Sequence, residues 1–246
     1  MTPPNDKVAI VTGASRGIGA AVADRLARDG YTVIVNYAGN AAAAEKVVGA
    51  IEAWGGRALA AQADVSAPQA VAAMFDKVEA AFGGVDVVVN NAGVMTLAPL
   101  AEATDDAFDR QFAINVKGTF NVMREAARRL RPGGSVVNFS SSVIGLRMES
   151  YALYAATKAA VEAMTAVMAK EMRGRAIRVN AVAPGPVATE LFLDGKSPEL
   201  INRLAGLNPM ERLGTPEDIA NIVSLLVGPD GVWVNGQVLR ANGGMV

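Results

Sequence analysis

The chain has 246 residues, 51% of them hydrophobic and 19% charged, the profile of a globular protein with a sizeable core. Its net charge is -1 and its 23 Lys and Arg residues are scattered, which excludes a basic surface for nucleic acid. It contains neither cysteine nor histidine, so disulfides, thiolate nucleophiles, His-based triads and the commonest zinc ligand are excluded. Acid–base chemistry falls to Asp, Glu, Lys or Tyr, and no metal centre is expected. The start, Met1-Thr-Pro-Pro-Asn-Asp-Lys7, lacks the apolar run of a signal peptide. No apolar stretch nears the ~20 residues of a membrane span, so the expected location is cytoplasmic, with no membrane partner.

Lys7-Val-Ala-Ile-Val-Thr12 is short, apolar and β-branched and ends at Gly13, which favours a buried strand. Residues 17–29 have helical composition and stop at Gly30, a C-terminal cap. Residues 31–36 form the second strand and 41–54 a helix before Gly55-Gly56. Residues 57–63 form the third strand, closed by Asp64-Val65, then 68–82 a helix before Gly83-Gly84, and 85–90 the fourth strand. Residues 105–130 read as one long helix broken by Pro132-Gly133-Gly134, and 135–139 as the fifth strand. A helix at 151–173 leads to a sixth strand at 177–183, ending at Pro184-Gly185-Pro186. Residues 189–206 are mixed and amphipathic, a lid over about 188–207. Residues 216–227 are helical, and 237–240 form the last short strand before Asn242-Gly243-Gly244. This rhythm demands parallel strands with right-handed crossovers. The expected fold class is α/β: one Rossmann-type doubly wound domain over 1–246, with about seven parallel strands and helices on both faces.

Two stretches carry chemistry. In Tyr154-Ala-Ala-Thr-Lys158 the phenol and the ammonium are four residues apart, so a helix puts them on one face. A cation beside a phenol favours phenolate and lowers the tyrosine pKa, which suits proton exchange with an alcohol or carbonyl oxygen. Tyr151 has Ala155, not Lys, four residues on and reads as a pocket-wall aromatic. Upstream, Thr12-Gly13-Ala-Ser15-Arg16-Gly17-Ile18-Gly19 lies between the first strand and the first helix. Glycines there allow close approach of a pyrophosphate, and the helix N-terminus offers N–H donors and the positive end of its dipole.

Thr12-Gly13-x3-Gly17-x-Gly19, Asn90-Asn91-Ala92-Gly93, Tyr154-x3-Lys158 and Pro184-Gly185 occur in that order. Together they resemble the short-chain dehydrogenase/reductase family in its compact single-domain branch, over essentially 7–244. The resemblance implies a dinucleotide cradle at Gly13, Ser15, Arg16, Gly17, Ile18 and Gly19. It implies an adenine contact at Asp64-Val65, a ribose-side segment at Asn91-Ala92-Gly93, and a nicotinamide-side segment at Pro184-Gly185, with Val187 and Thr189. It also implies the chemistry: hydride passes between nicotinamide and a substrate carbon while Tyr154 moves the proton. Lys158 tunes the tyrosine and bonds the ribose, a serine holds the substrate oxygen, and Asn115 holds a water that refreshes the proton. Ser141 is third after Asn138 and thirteenth before Tyr154, both family spacings; Gly145 lies three after Ser142, which is also one. Ser141 is preferred and Ser142 remains an alternative. In appearance the chain is closest to 3-oxoacyl-carrier-protein reductases, although it reads Val94-Met95-Thr96-Leu97 where those carry an Arg-Asp step.

The second strand ends Val35-Asn36-Tyr37-Ala38-Gly39-Asn40, with no carboxylate until Glu45. An acidic residue there normally holds the ribose 2′-hydroxyl of NAD. Asn36 would tolerate a 2′-phosphate, and Arg16 and Ser15 would attract it, so the expected cofactor is NADP(H). The expected substrate pocket comprises Met95, Leu97, Val143, Ile144, Leu146, Met148, Tyr151 and Leu191-Phe192-Leu193, with Arg147 its one nearby cation. Such a lining suits a hydrophobic small-molecule carbonyl, a ketone or a 3-oxoacyl compound. A catalytically silent dinucleotide-binding regulator or scaffold is the competing reading, and the complete Asn115, Ser141, Tyr154 and Lys158 set argues against it. Small residues along 105–130 and 151–173 imply, by the same resemblance, a homotetramer or a dimer, with 233–246 as a further contact.

Overall fold

A strand buried on both faces must be apolar at every position, and the run Val8–Val11 (β1) is buried throughout. The computed structural model describes residues 7–246. After β1 come α1 (Gly17–Arg28), β2 (Thr32–Tyr37), α2 (Ala41–Glu52), β3 (Arg57–Gln62), α3 (Pro68–Phe82) and β4 (Val85–Asn90). The chain continues through α4 (Asp105–Gln111), a π-helical segment (Phe112–Gly118), α5 (Thr119–Arg129) and β5 (Leu130–Phe139). The short α6 (Val143–Leu146) precedes α7 (Ala152–Glu171) and β6 (Arg178–Pro184). Then follow α8 (Glu190–Leu193), α9 (Pro198–Ala205), α10 (Pro216–Val227) and β7 (Val238–Ala241).

The seven strands form one parallel sheet in the order β3-β2-β1-β4-β5-β6-β7. Alternate side chains of each strand feed opposite cores. Ala9 and Val11 pack with Leu26 of α1, Ile51 of α2 and Val223 of α10. Val8 and Ile10 pack with Phe75 of α3, Val122 of α5 and Met168 of α7. This is the doubly wound α/β domain expected from the sequence. Strand order reverses between β1 and β4, and in such sheets a crevice opens there beyond the strand C-termini.

Two expectations change. The stretch 105–130 is not one α-helix. Its middle turns are π-helical, and the Thr119 hydroxyl donates to the Asn115 carbonyl at 2.8 Å within the widened turn. The fifth strand begins at Leu130, before the Pro132-Gly133-Gly134 breaker rather than after it. Leu130 pairs with Val85, and an irregularity between Val85 and Val87 absorbs the breaker. Arg131 fixes that irregularity by donating to Asp86 at 2.8 Å and to the Phe82 carbonyl at 2.9 Å. Among the described residues, no helix is long and apolar enough to cross a membrane.

Candidate active site

The glycine loop is bound to the segment after β4. Asn91 Nδ2 donates to the carbonyls of Thr12 (2.9 Å) and Gly13 (3.0 Å), and the Asn91 and Ala92 amides donate to Thr12 Oγ1 at 3.1 and 3.0 Å. A Cβ on Gly19 would lie 2.5 Å from both Asn91 Nδ2 and the Gly13 carbonyl oxygen, so the junction admits only glycine. No side chain caps α1: Arg16, at its N-cap, is extended and turned away. The first-turn amides of Gly17, Ile18 and Gly19 therefore have no side-chain cap at the positive end of the helix dipole, and Ile18 lines the cleft, an arrangement that fits a pyrophosphate.

The other candidate cofactor residues separate. Ile18, Asn91, Gly93, Pro184, Gly185, Val187 and Thr189 line one continuous cleft with Tyr154 and Lys158. Thr189 also caps α8 by accepting from the Phe192 amide at 3.3 Å. Asn36, expected beside the ribose, is instead 1% exposed. It accepts from the Gly13 amide at 3.3 Å and donates to the Ala61 and Ala63 carbonyls at 3.1 and 3.0 Å. Its side chain is committed to holding the loop against β3. Asp64 is exposed, and one of its oxygens accepts from both the amide and the hydroxyl of Ser66 at 2.8 Å, a turn cap. Val65 is buried against Gly118 of the π-helical segment. Arg16 is exposed and paired with Glu190 of α8 at 2.9 Å, bridging the loop to the lid segment. Ser15 is half-buried in the loop.

Geometry divides the three adjacent serines. Ser140 is buried and donates to Glu162 at 2.6 Å. Ser142 is buried, donates to the Ala183 carbonyl at 3.0 Å and accepts from Asn242 at 2.9 Å. Ser141 accepts from the Val143 amide at 3.4 Å and lines the cleft, its hydroxyl near enough to Tyr154 to draw the phenol pKa down. Asn115 is buried; it accepts from the Val94 amide and donates to the Val94 carbonyl, both at 2.8 Å, and donates to Thr157 at 3.2 Å. Thr157 in turn donates to the Tyr154 carbonyl at 2.7 Å. The Asn115 side chain thus fixes backbone around the site, and both its polar ends are engaged.

Helical spacing does put Tyr154 and Lys158 on one side of α7, with the ammonium 5.5 Å from the tyrosine ring centre. The expected depression of the phenol pKa does not follow. Burial pushes Tyr154 up to about 12, against which the neighbouring Ser141 hydroxyl pulls only in part. Lys158 is 5% exposed, donates to the Phe139 carbonyl at 2.8 Å, and is itself lowered to about 8 by burial. The spacing located the pair but gave no measure of how deeply the fold encloses it.

Beyond Tyr154 the cleft turns apolar. Met95, Val143, Leu146, Met148, Tyr151 and Phe192 line it as expected. Leu97 and Leu193 instead flank a separate depression beside Arg16, and Ile144 and Arg147 an outer groove against α7. Leu191 is an expected lining residue whose side chain lies outside the described set. Three lining residues had no sequence signal of their own: Leu204 of α9, Leu207 after it, and Met245.

A family model described as Enoyl-(Acyl carrier protein) reductase matches residues 13–246. A short-chain type dehydrogenase/reductase from Picea abies is 46% identical over 250 residues, spanning 98% of this chain and 92% of that protein. An NADPH-dependent aldehyde reductase-like protein, chloroplastic, from Arabidopsis thaliana is 43% identical over 258 residues, spanning 99% of this chain and 96% of that one. A solved structure of a short chain dehydrogenase from Burkholderia cenocepacia J2315 in complex with NADP superposes with a TM-score of 0.92 at 39% identity, with 98% of each chain covered. Sequence likeness along almost the whole chain, with a backbone that superposes on the Burkholderia structure, makes this protein a member of the short-chain dehydrogenase/reductase family of oxidoreductases.

Proposed function

We propose that this oxidoreductase uses NADPH to reduce a hydrophobic ketone or 3-oxoacyl compound to the corresponding alcohol. One observation carries the reading. The Ser141–Tyr154 pair and Lys158 sit where the glycine-loop end of a single cleft meets its apolar end. NADPH, when bound, supplies the hydride to the carbonyl carbon. The chain supplies the rest. Ser141 orients the carbonyl oxygen, and Tyr154 Oη gives it the proton, completing the alcohol. A phenol held up to about 12 is protonated at neutral pH, which suits a general acid and the reductive direction. Lys158 lies beside the phenol as its electrostatic partner, while Asn115 acts as a positioning residue through Val94 and Thr157. The preference for NADPH rests on Arg16 and Ser15 in the loop and on the absence of a carboxylate at the end of β2. The NADP complex of the Burkholderia relative and the NADPH-dependent naming of the Arabidopsis one support it. The assembly we propose is a homotetramer.

The test is NADPH consumption over a panel of hydrophobic ketones, with Tyr154→Phe as the control and NADH as the competing donor. Tyr154→Phe is expected to bind NADPH and to lose at least about a hundredfold in kcat, the usual scale of a general acid. A wild type that binds NADPH yet turns over no more than Tyr154→Phe would move the protein to the silent-binder class. Saturation by NADH at lower concentration than NADPH would remove the cofactor assignment.

A further inference from the structure

Residues 242–246 reach the cleft through Met245, and three contacts hold them there. The first is polar: Asn242 Nδ2 donates to Ser142 Oγ at 2.9 Å, while Ser142 Oγ is anchored on the Ala183 carbonyl at 3.0 Å. Asn242 Oδ1 then accepts from the Gly244 and Met245 amides at 3.0 and 3.2 Å, turning the tail back on itself. The second contact is steric. Gly185, at the end of β6, lies so close to Asn242 that a Cβ there would sit 2.8 Å from the Asn242 Cβ. The third lies farther along, where Val246 seats against Gly145 of α6; a Cβ on Gly145 would be 3.1 Å from a Val246 methyl. The tail's other side meets the lid's root, with Gly243 against Asn208 and Gly244 against Pro209. With the tail held between the serine run, β6 and the lid, Met245 lines the same cleft as Met148, Tyr151 and Leu146.

We propose that Met245, held over the cleft by the Asn242–Ser142 peg, sets how large a carbonyl substituent the site accepts. Ser142 on this view is a positioning residue acting through Asn242, and Gly145 is small because Val246 needs its place. A methionine suits the role: three rotatable bonds and a polarisable sulfur let one wall residue conform to differing apolar groups. The inference rests on the carbonyl-reductase reading above and adds to it the element that reads substrate size.

The experiment compares kcat and KM for a one-ring ketone, cyclohexanone, and a two-ring ketone, 2-tetralone, in wild type, Met245→Trp, Met245→Ala and Ser142→Ala. Hydrogen exchange at the Gly244 and Met245 amides is followed in the same proteins. Met245→Trp is expected to cost 2-tetralone about tenfold or more in kcat/KM and cyclohexanone less than about threefold, the scale on which pocket volume discriminates. Met245→Ala should shift the ratio the other way. Ser142→Ala should speed exchange at both amides about tenfold and narrow the preference between the two ketones, mainly through KM. Equal losses for both ketones in Met245→Trp, or unaltered exchange and selectivity in Ser142→Ala, overturn the proposal. If Ser142→Ala does not fold, Asn242→Ala removes the same peg and carries the same expectation. A wild type that reduces neither ketone nor any other carbonyl defeats the catalytic reading, while the exchange arm still decides whether the peg holds the tail.

Discussion

Lys158 is the residue where burial and charge conflict most directly. Lys158 is 5% exposed, and its ammonium donates to the Phe139 carbonyl at 2.8 Å. Folding lowers its pKa from 10.5 to about 8, so from about pH 8 to 10.5 the unfolded chain binds the extra proton and native stability rises with pH. Tyr154 acts in the opposite sense. Raised from 10.0 to about 12, it keeps its proton longer when folded, and stability falls with pH over about 10 to 12. The two windows barely overlap, so Lys158 can be read alone below pH 10. Urea unfolding of wild type and Lys158→Met at pH 7.5 and 9.5 should show wild type gaining on the variant by on the order of 2 kcal/mol. A difference that stays constant between the two pH values would mean that the amine is not desolvated as described. The same residue shows what sequence spacing conveys. Four-residue spacing on a helix places Lys158 beside Tyr154, but the depth of the pair depends on β5 and on the cleft walls, which no local pattern reports. Asn36 teaches the same lesson more sharply: its partners Ala61 and Ala63 arrive with β3, and they convert an apparent ribose ligand into a buried clasp.

At the scale of elements, most strands were legible because they are short, largely apolar runs bounded by glycine, proline or Asx residues, whereas β5 runs through its own Pro132-Gly133-Gly134 breaker and was legible only in its second half. Their parallel order follows from the helices between them. The π-helical segment was not legible. Its cause is tertiary: Asn115 satisfies both the amide and the carbonyl of Val94, and Val94 belongs to the loop after β4. A regular α-helix would carry Asn115 through this stretch without regard to that loop. The widened turn instead buries Asn115 between Val94 and Thr157, and Thr157 hands the constraint on to the first turn of α7, where Tyr154 sits. Asn115→Ala should therefore destabilise the fold by about 2 kcal/mol, because two backbone groups of the partly buried Val94 lose their partners. It should also lower kcat by misplacing Tyr154, with NADPH affinity changed far less. Thermal unfolding with parallel NADPH titration measures both, and a variant as stable as wild type would show that water or neighbouring groups replace the amide. Met245, Leu204 and Leu207 were missed for a comparable reason. Each reaches the cleft only through the packing of a late segment onto an early one, as Val246 does on Gly145.

Over the whole molecule, two groups of exposed apolar side chains bear on the proposed assembly. One comprises Phe108, Phe120 and Val167, each between 42% and 55% exposed, on α4, α5 and α7. The other surrounds Trp233, 97% exposed, with Val232 at 64% and Leu225 at 40%, beside the end of α10. The Trp233 set shares a broad groove with Arg173 and Asn221 at the N-terminal ends of the strands, the end opposite the cleft, so covering it leaves the reaction path open. Exposed apolar clusters of this kind mark protein contacts, and the homotetramer proposed above requires two such surfaces, each pairing with its own copy about a twofold axis. Each surface should then be separable by a single substitution. Light scattering on wild type should give four times the chain mass. Trp233→Ser should give twice the chain mass, and so should Phe120→Glu, each leaving the other interface intact. Combined, they should give a monomer that still binds NADPH, since neither residue lines the cleft. A wild type that is monomeric at micromolar concentration would leave Trp233 without a partner copy and would overturn the tetramer.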